Sequence, residues 1–110
     1  MTKSESENLE NIVLELRRGM IVLAVLSQLN EEKYGYSLLK LLADLGLEVD
    51  QGTLYPLLRR LESHGLLTSE WREEEKRNKR FYRLSADGKA VLKQLAAEWQ
   101  SINKSLNGIL

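Results

Sequence analysis

The chain has 110 residues, 43% of them apolar and 29% charged, with 16 basic and 16 acidic side chains that balance to a formal net charge of zero. That length allows one domain with a real core and is too short for two. The chain has no cysteine, which excludes disulfides and thiolate metal sites and fits a reducing compartment; zero net charge by itself argues against a partner held by phosphate neutralisation.

Residues 1–7 are polar, lack the apolar segment of a signal peptide and are expected to form a disordered tail. Leu9, Ile12, Val13, Leu16 and Met20 then keep helical spacing, and residues 21–26 are apolar on every side. Such a helix has an amphipathic first half and a second half enclosed by the core. Its apolar run falls far short of the roughly 20 residues a membrane span requires, so a cytoplasmic chain is expected. Arg17 and Arg18 read either as a solvated face or as cations reaching a polyanion. After a polar turn at residues 30–33, Tyr34-Gly35-Tyr36-Ser37 opens a second helix, with Leu38, Leu41, Leu42 and Leu45 on its inner face and Gly46 closing it. Tyr36 and Lys40, near its start, are candidate phosphate contacts. The rings of Tyr34 and Tyr36 serve equally well to staple the helix to the core. Residues 47–49 can form a brief pairing segment.

The most informative stretch runs from about residue 50 to residue 64. Leu54, Leu57, Leu58 and Leu61 stand at i, i+3, i+4 and i+7, one apolar stripe. The opposite face carries Gly52, Pro56, Arg59 and Ser63, flanked by Thr53 and Arg60 on one side and by Tyr55 and Glu62 on the other. It is small and smooth at its leading end and cationic halfway along, as a helix lying in a DNA groove must be. Asp50 suits the N-cap and Gly65 the left-handed position past the end. Pro56 removes one internal hydrogen bond, and a continuous but slightly bent helix is expected.

Leu67, Ser69 and Trp71 alternate with Thr68, Glu70 and Arg72, the period of a half-buried strand, and Phe81-Tyr82-Arg83-Leu84 reads as a second. The charged run at residues 73–80 between them is expected to be a basic tip with acids at Glu73, Glu74 and Glu75. A helix followed by such a hairpin is a winged helix-turn-helix in outline, an α+β fold that is mostly helical. Its helix would enter the major groove and its hairpin would lie beside it on the phosphates. Arg59, Arg60, Lys76, Arg77, Lys79, Arg80 and Arg83 gather around these two elements, so the neutral chain is polarised. Ser85, with Asp87 in the first turn, then caps a long final helix. Its Leu95, Trp99, Ile102, Leu106 and Ile109, spaced 4, 3, 4, 3, form a seam for packing on another helix. Together with the amphipathic residues 9–20 this makes a homodimer the natural outcome.

The chain also resembles the PadR-type transcriptional regulators. The resemblance is carried by Tyr34-Gly35-Tyr36, the run from Gly52 through Leu58 (Gly-Thr-Leu-Tyr-Pro-Leu-Leu), Arg60-Leu61-Glu62 with Gly65-Leu66, Trp71, and Arg80-Phe81-Tyr82-Arg83-Leu84-Ser85 with Gly88. These pieces span nearly all of residues 19–95 in the family's order. With a single helix after the wing, the chain is similar to the family's short branch, which includes multidrug-responsive repressors. The resemblance implies a ligand-responsive repressor that binds a pseudo-palindromic operator as a homodimer, with no membrane partner. It further implies that Trp99 and its mate in the dimer wall a pocket for planar aromatic compounds, lined by Leu9, Ile12, Val13, Leu16, Ala96 and Ile102. The other reading of Trp99 is a side chain that only fills the interface.

Three regions are therefore expected: a tail at 1–7, a DNA-binding domain at 8–84 with its recognition helix at about 50–64 and wing at about 66–84, and a dimerisation helix at 85–110. Gln51, Gly52, Thr53 and Arg59 are expected nearest the bases, although Thr53 can instead face the turn. Tyr36, Lys40, Tyr55 and Arg60 are expected on phosphates, joined by Lys76, Arg77, Lys79 and Arg80 of the wing. The rival reading is a winged-helix module that binds protein and no operator. His64 is the only histidine, no metal or phosphate-loop motif is present, and no nucleophile elbow accompanies it, so neither cofactor nor enzymatic activity is expected.

Overall fold

The leucine stripe of residues 50–64 turns inward as its spacing requires. Leu54, Leu57, Leu58 and Leu61 are buried with Val25, Leu26, Leu29, Leu38 and Leu42, and the hairpin adds Leu67, Tyr82 and Leu84. The computed structural model describes residues 1–110. The order is α1 (Lys3–Gln28), β1 (Lys33–Tyr34), α2 (Gly35–Asp44), α3 (Gln51–Ser63), β2 (Leu67–Glu74), β3 (Arg77–Leu84) and α4 (Ala86–Ile109). The three strands form one antiparallel sheet in the order β1-β3-β2. This is the winged helix-turn-helix, with a long helix at each end. No helix is long and apolar enough to cross a membrane.

The ends of α3 follow its chemistry. Asp50 Oδ1 accepts from the Thr53 amide at 2.7 Å. At the other end Gly65 takes φ +79°, the Gly65 amide donates to the Glu62 carbonyl, and the Leu66 amide donates to the Leu61 carbonyl. This pair of bonds is a Schellman closure, and the left-handed residue it needs is the glycine. The same closure ends α2, with Gly46 at φ +84° and the Leu47 amide on the Leu42 carbonyl. Ser85 Oγ accepts from the Gly88 amide at 2.9 Å and so caps α4.

Four expectations are corrected. Residues 1–7 are not a coil: α1 begins at Lys3, and Thr2 caps it by accepting from the Glu5 amide. Of the apolar run at residues 21–26, only Val25 and Leu26 are fully buried, and residues 21–24 are half-buried. Leu45 is exposed because it lies beyond the last turn of α2, where the chain is already closing on Gly46. The third strand comes from Lys33 and Tyr34, which pair with Tyr82 and Phe81, and residues 47–49 form no strand.

The charged run is also more ordered than its composition indicates. Both wing strands are 8 residues long, so residues 73–74 and 77–80 belong to the ladder. The tip is Glu75 and Lys76 alone, with φ of 51° and 64°. Two successive positive φ values make the two-residue turn whose twist matches that of a hairpin, here without the usual glycine or asparagine. Glu74 faces Arg77 across the ladder and approaches Lys79 Nζ at 3.9 Å.

Candidate nucleic-acid interface

The outward face of α3 forms a ridge between two clefts. On the wing side, Tyr55 and Arg59 line a cleft of about 570 Å³ together with Tyr34, Tyr36, Trp71, Arg77 and Lys79. On the α1 side, Thr53, Pro56 and Arg60 line a second of about 490 Å³ with Arg17 and Arg18. The expected base-reading and phosphate-holding residues are thus divided. Arg59 stands beside the wing, whereas Thr53 and Arg60 turn toward α1. Gln51 and Gly52 are exposed at the leading end, and only Asp50 Oδ1, at 3.7 Å, stands near the place a side chain on Gly52 would occupy.

Aromatic packing fixes the wing-side cleft. The Tyr34 ring lies 5.7 Å from Phe81 and 6.4 Å from Tyr36. Lys40 Nζ sits 5.6 Å from the centre of the Tyr36 ring, whose edge remains exposed. Gly35 is required here, because a Cβ at that position would meet the Tyr55 ring at 2.8 Å. Burial, reinforced by the neighbouring Tyr34 and Tyr36, raises the pKa of the Tyr55 hydroxyl. It therefore remains an O–H donor at neutral pH, the form that donates to a phosphate oxygen. Tyr34 and Tyr36 thus both staple the helix start and border the cleft.

The wing cations differ in role. Lys76 and Arg77 are exposed at and beside the turn and have no ion-pair partner. Lys79 lies along the sheet with its ammonium 4.6 Å from the centre of the Tyr34 ring. Arg80, expected at the tip, stands in mid-strand opposite Trp71. There it donates to Glu62 of α3 at 2.6 Å and to Ser69 Oγ at 3.0 Å. Arg72, which the sequence left as an ordinary strand cation, forms a two-pronged ion pair with Glu32. It also binds Glu70 at 3.1 Å, which holds the Glu70 carboxyl below its ordinary pKa.

The objection from neutrality is answered by where the unpaired cations lie. Glu62, Glu70, Glu32, Glu74 and Glu15 are each engaged by an arginine or lysine. Arg59 and Arg60 on the ridge have no acidic partner and are free to meet an anion. Of the acids that line the two clefts, Glu75 stands at the wing turn and Glu48 before α3, and Asp50 is committed to the helix start. The hydrogen bonds from Thr53 hold its carboxyl below the ordinary pKa.

The two terminal helices leave apolar faces uncovered. Leu9, Ile12, Val13 and Leu16 of α1 are exposed, as are Trp99 at 42%, Ile102 at 55% and Leu106 at 39% on α4. Leu95 behaves differently from the rest of its seam, since it packs against the core of its own chain, and Ala96 beside it is half-buried.

The arrangement has close counterparts among known proteins. The transcriptional regulator Rv3488 of Mycobacterium tuberculosis is 40% identical over 79 residues, which cover 71% of this chain and 74% of that protein. A PadR family regulator from Eggerthella lenta superposes with a TM-score of 0.92 at 42% identity, covering 98% of this chain and 96% of its own. A PadR-like transcription factor from Bacteroides fragilis gives 0.76 at 33% identity, with 91% and 99% covered. The description that matches residues 22–94 is that of the transcriptional regulator PadR-like family, and those residues hold the whole ridge, the wing-side cleft and the wing, while Arg17 and Arg18 of the second cleft precede them. The chain belongs to the PadR-like family of transcriptional regulators.

Proposed function

We propose that the protein is a ligand-responsive repressor that binds a pseudo-palindromic operator as a homodimer and is released by planar aromatic compounds. Residues 8–84 read the DNA and residues 85–110 pair the chains. The observation that carries the DNA half of this reading is Arg59, without an acidic partner, on an exposed ridge between two cleft walls rich in cations. Gln51 and Arg59 are nearest the bases, and Thr53 stands at the edge toward α1. Tyr36, Lys40, Tyr55 and Arg60 hold phosphates, with Lys76 and Arg77 adding wing contacts. In a dimer, two such ridges set about 34–36 Å apart match one turn of duplex.

The ligand half rests on Trp99, which is large, aromatic and uncovered within a single chain. A flat compound stacked between two such indoles, against Leu9, Ile12, Val13, Leu16, Ala96 and Ile102, would favour one spacing of the reading heads. Release follows if the ligand binds that spacing more tightly than the one DNA selects.

Both halves are tested by fluorescence anisotropy on a duplex that the wild-type protein selects from a random pool, at fixed salt near 150 mM. Arg59→Ala is expected to weaken binding about tenfold to a hundredfold and to relax base preference at one position. An equal loss on every duplex would make Arg59 a phosphate contact instead. Planar dyes are expected to quench Trp99 and displace DNA, and Trp99→Ala is expected to abolish the displacement. Dye-insensitive DNA binding would leave Trp99 as interface filling. Failure to select any duplex would favour a winged-helix module that binds protein.

A further inference from the structure

Arg80, Glu62 and Ser69 form a closed ring of charge-assisted hydrogen bonds between the recognition helix and the wing. Arg80 Nη2 donates to Glu62 Oε1 at 2.6 Å, Arg80 Nε donates to Ser69 Oγ at 3.0 Å, and Ser69 Oγ donates to Glu62 Oε2 at 2.6 Å. Each group uses the capacity its chemistry provides. The carboxylate accepts twice, the hydroxyl donates once and accepts once, and the guanidinium donates through two nitrogens. The guanidinium is also stacked, lying 5.5 Å from the centre of the Trp71 ring and 5.3 Å from that of Tyr82. Cross-strand register explains the gathering: Ser69 faces Tyr82 and Trp71 faces Arg80, so all four side chains share one face of the ladder. Glu62, in the last turn of α3, meets that face.

The placement has a mechanical consequence. The base of the wing is fixed to α3 by the turn at Gly65 and Leu66, and an 8-residue strand carries the tip roughly 23 Å beyond it. A tilt of about 10° at the base would displace the tip by about 4 Å, more than the length of a hydrogen bond. The ring begins about a third of the way along that lever, at Ser69, and reaches Arg80 near its middle.

We propose that Glu62, Ser69 and Arg80 are positioning residues that lock the angle between the wing and the recognition helix, and that Glu62 thereby supports DNA binding although it is an acid beside the interface. The effect on DNA rests on the function proposed above; the lock itself does not. The sign of the Glu62 effect separates this from simple electrostatics. Removing an acid near DNA strengthens binding if only charge matters, whereas removing a positioning group weakens it.

Two measurements decide the matter. The chain has no cysteine, so spin labels placed through His64→Cys and Glu73→Cys report the distance from the end of α3 to the outer wing without DNA present. The unaltered ring is expected to give one narrow distance distribution, and Glu62→Gln a wider one. On the selected duplex, Glu62→Gln and Arg80→Lys are each expected to lose affinity on the order of tenfold, and the double variant no more than either alone. The lysine keeps the charge but cannot reproduce the fork to both partners. The salt slope for Glu62→Gln is expected to remain that of the wild type. A narrow distribution in Glu62→Gln overturns the lock. A wide one with undiminished affinity overturns its role in DNA binding. If the wild type selects no duplex, the proposed function fails and the distance measurement still decides the lock. Thermal unfolding confirms that these near-isosteric variants remain folded.

Discussion

Alanine at position 88 is expected to destabilise the protein by about 3 kcal/mol or more, at the upper end of what overpacking usually costs. A Cβ there would lie 2.0 Å from the Leu66 carbonyl oxygen, 3.0 Å from its carbon and 3.1 Å from Leu84 Cδ2. The first two atoms are backbone and cannot rotate away. The Leu66 carbonyl also accepts from the Ser85 amide at 3.0 Å, and the Leu66 amide closes α3 on Leu61. Moving this peptide would therefore disturb the end of the recognition helix and the start of α4 together. For a chain of this size the thermal midpoint is expected to fall by about 15 °C, followed by far-ultraviolet circular dichroism. A midpoint within a few degrees of wild type would mean that α4 can leave the domain at another angle without loss. An alanine elsewhere on α4 does not pose this problem: the Cβ that Gly108 lacks would meet nothing within 4 Å.

Gly88 illustrates what the sequence conceals. It stands among the residues that carry the resemblance to PadR regulators, but nothing in the chain indicates which carbonyl it faces. The recognition helix, by contrast, was open to reading because its determinants are local: a leucine stripe, an aspartate cap and a glycine past the end. The short strand Lys33–Tyr34 has no period to detect at two residues. The wing strands ran beyond their expected limits because charged residues carry no hydrophobic alternation, and the turn at Glu75 and Lys76 lacks glycine. Residues 3–7 are all polar and carry no apolar stripe to mark a helix.

The site shows the same division. That cations would gather around α3 and the wing was readable, since clustering in sequence survives folding into a hairpin. The destinations of Arg80 and Arg72 were not, because their partners Glu62 and Glu32 lie on other elements, 18 and 40 residues away. One available indication was the shared period of Ser69, Trp71, Arg80 and Tyr82. A strand face with two aromatics around one arginine offers that guanidinium two rings to stack on. Formal neutrality misled for a related reason. A net charge carries no positions, and what meets a phosphate is the local excess of unpaired cations such as Arg59, Arg60, Lys76 and Arg77 around α3 and the wing turn.

If the uncovered seam of α4 joins two chains, Ile102→Glu is expected to produce a monomer and to reduce operator affinity roughly a thousandfold, or about 4 kcal/mol. The direct cost is that of burying an unpaired carboxylate twice across a symmetric contact, which the interface cannot bear. The larger consequence is for DNA. In a dimer the second reading head binds from an effective concentration in the millimolar range, and a monomer loses that gain without losing any contact of its own. The monomer should therefore still bind half-sites weakly, with an unaltered base preference. Gln100→Glu is the control. It adds the same charge two residues away, about 160° around the helix from Ile102, and should leave both assembly and affinity as they are. Sedimentation equilibrium and anisotropy at one salt concentration would follow both variants. Equal losses would indicate a general charge effect, and a dimeric Ile102→Glu with full affinity would move the interface off α4. The predicted pattern, monomer with retained specificity, would place dimerisation and base reading on separate parts of the chain, so that a compound held at Trp99 acts on DNA only through the spacing of the two ridges.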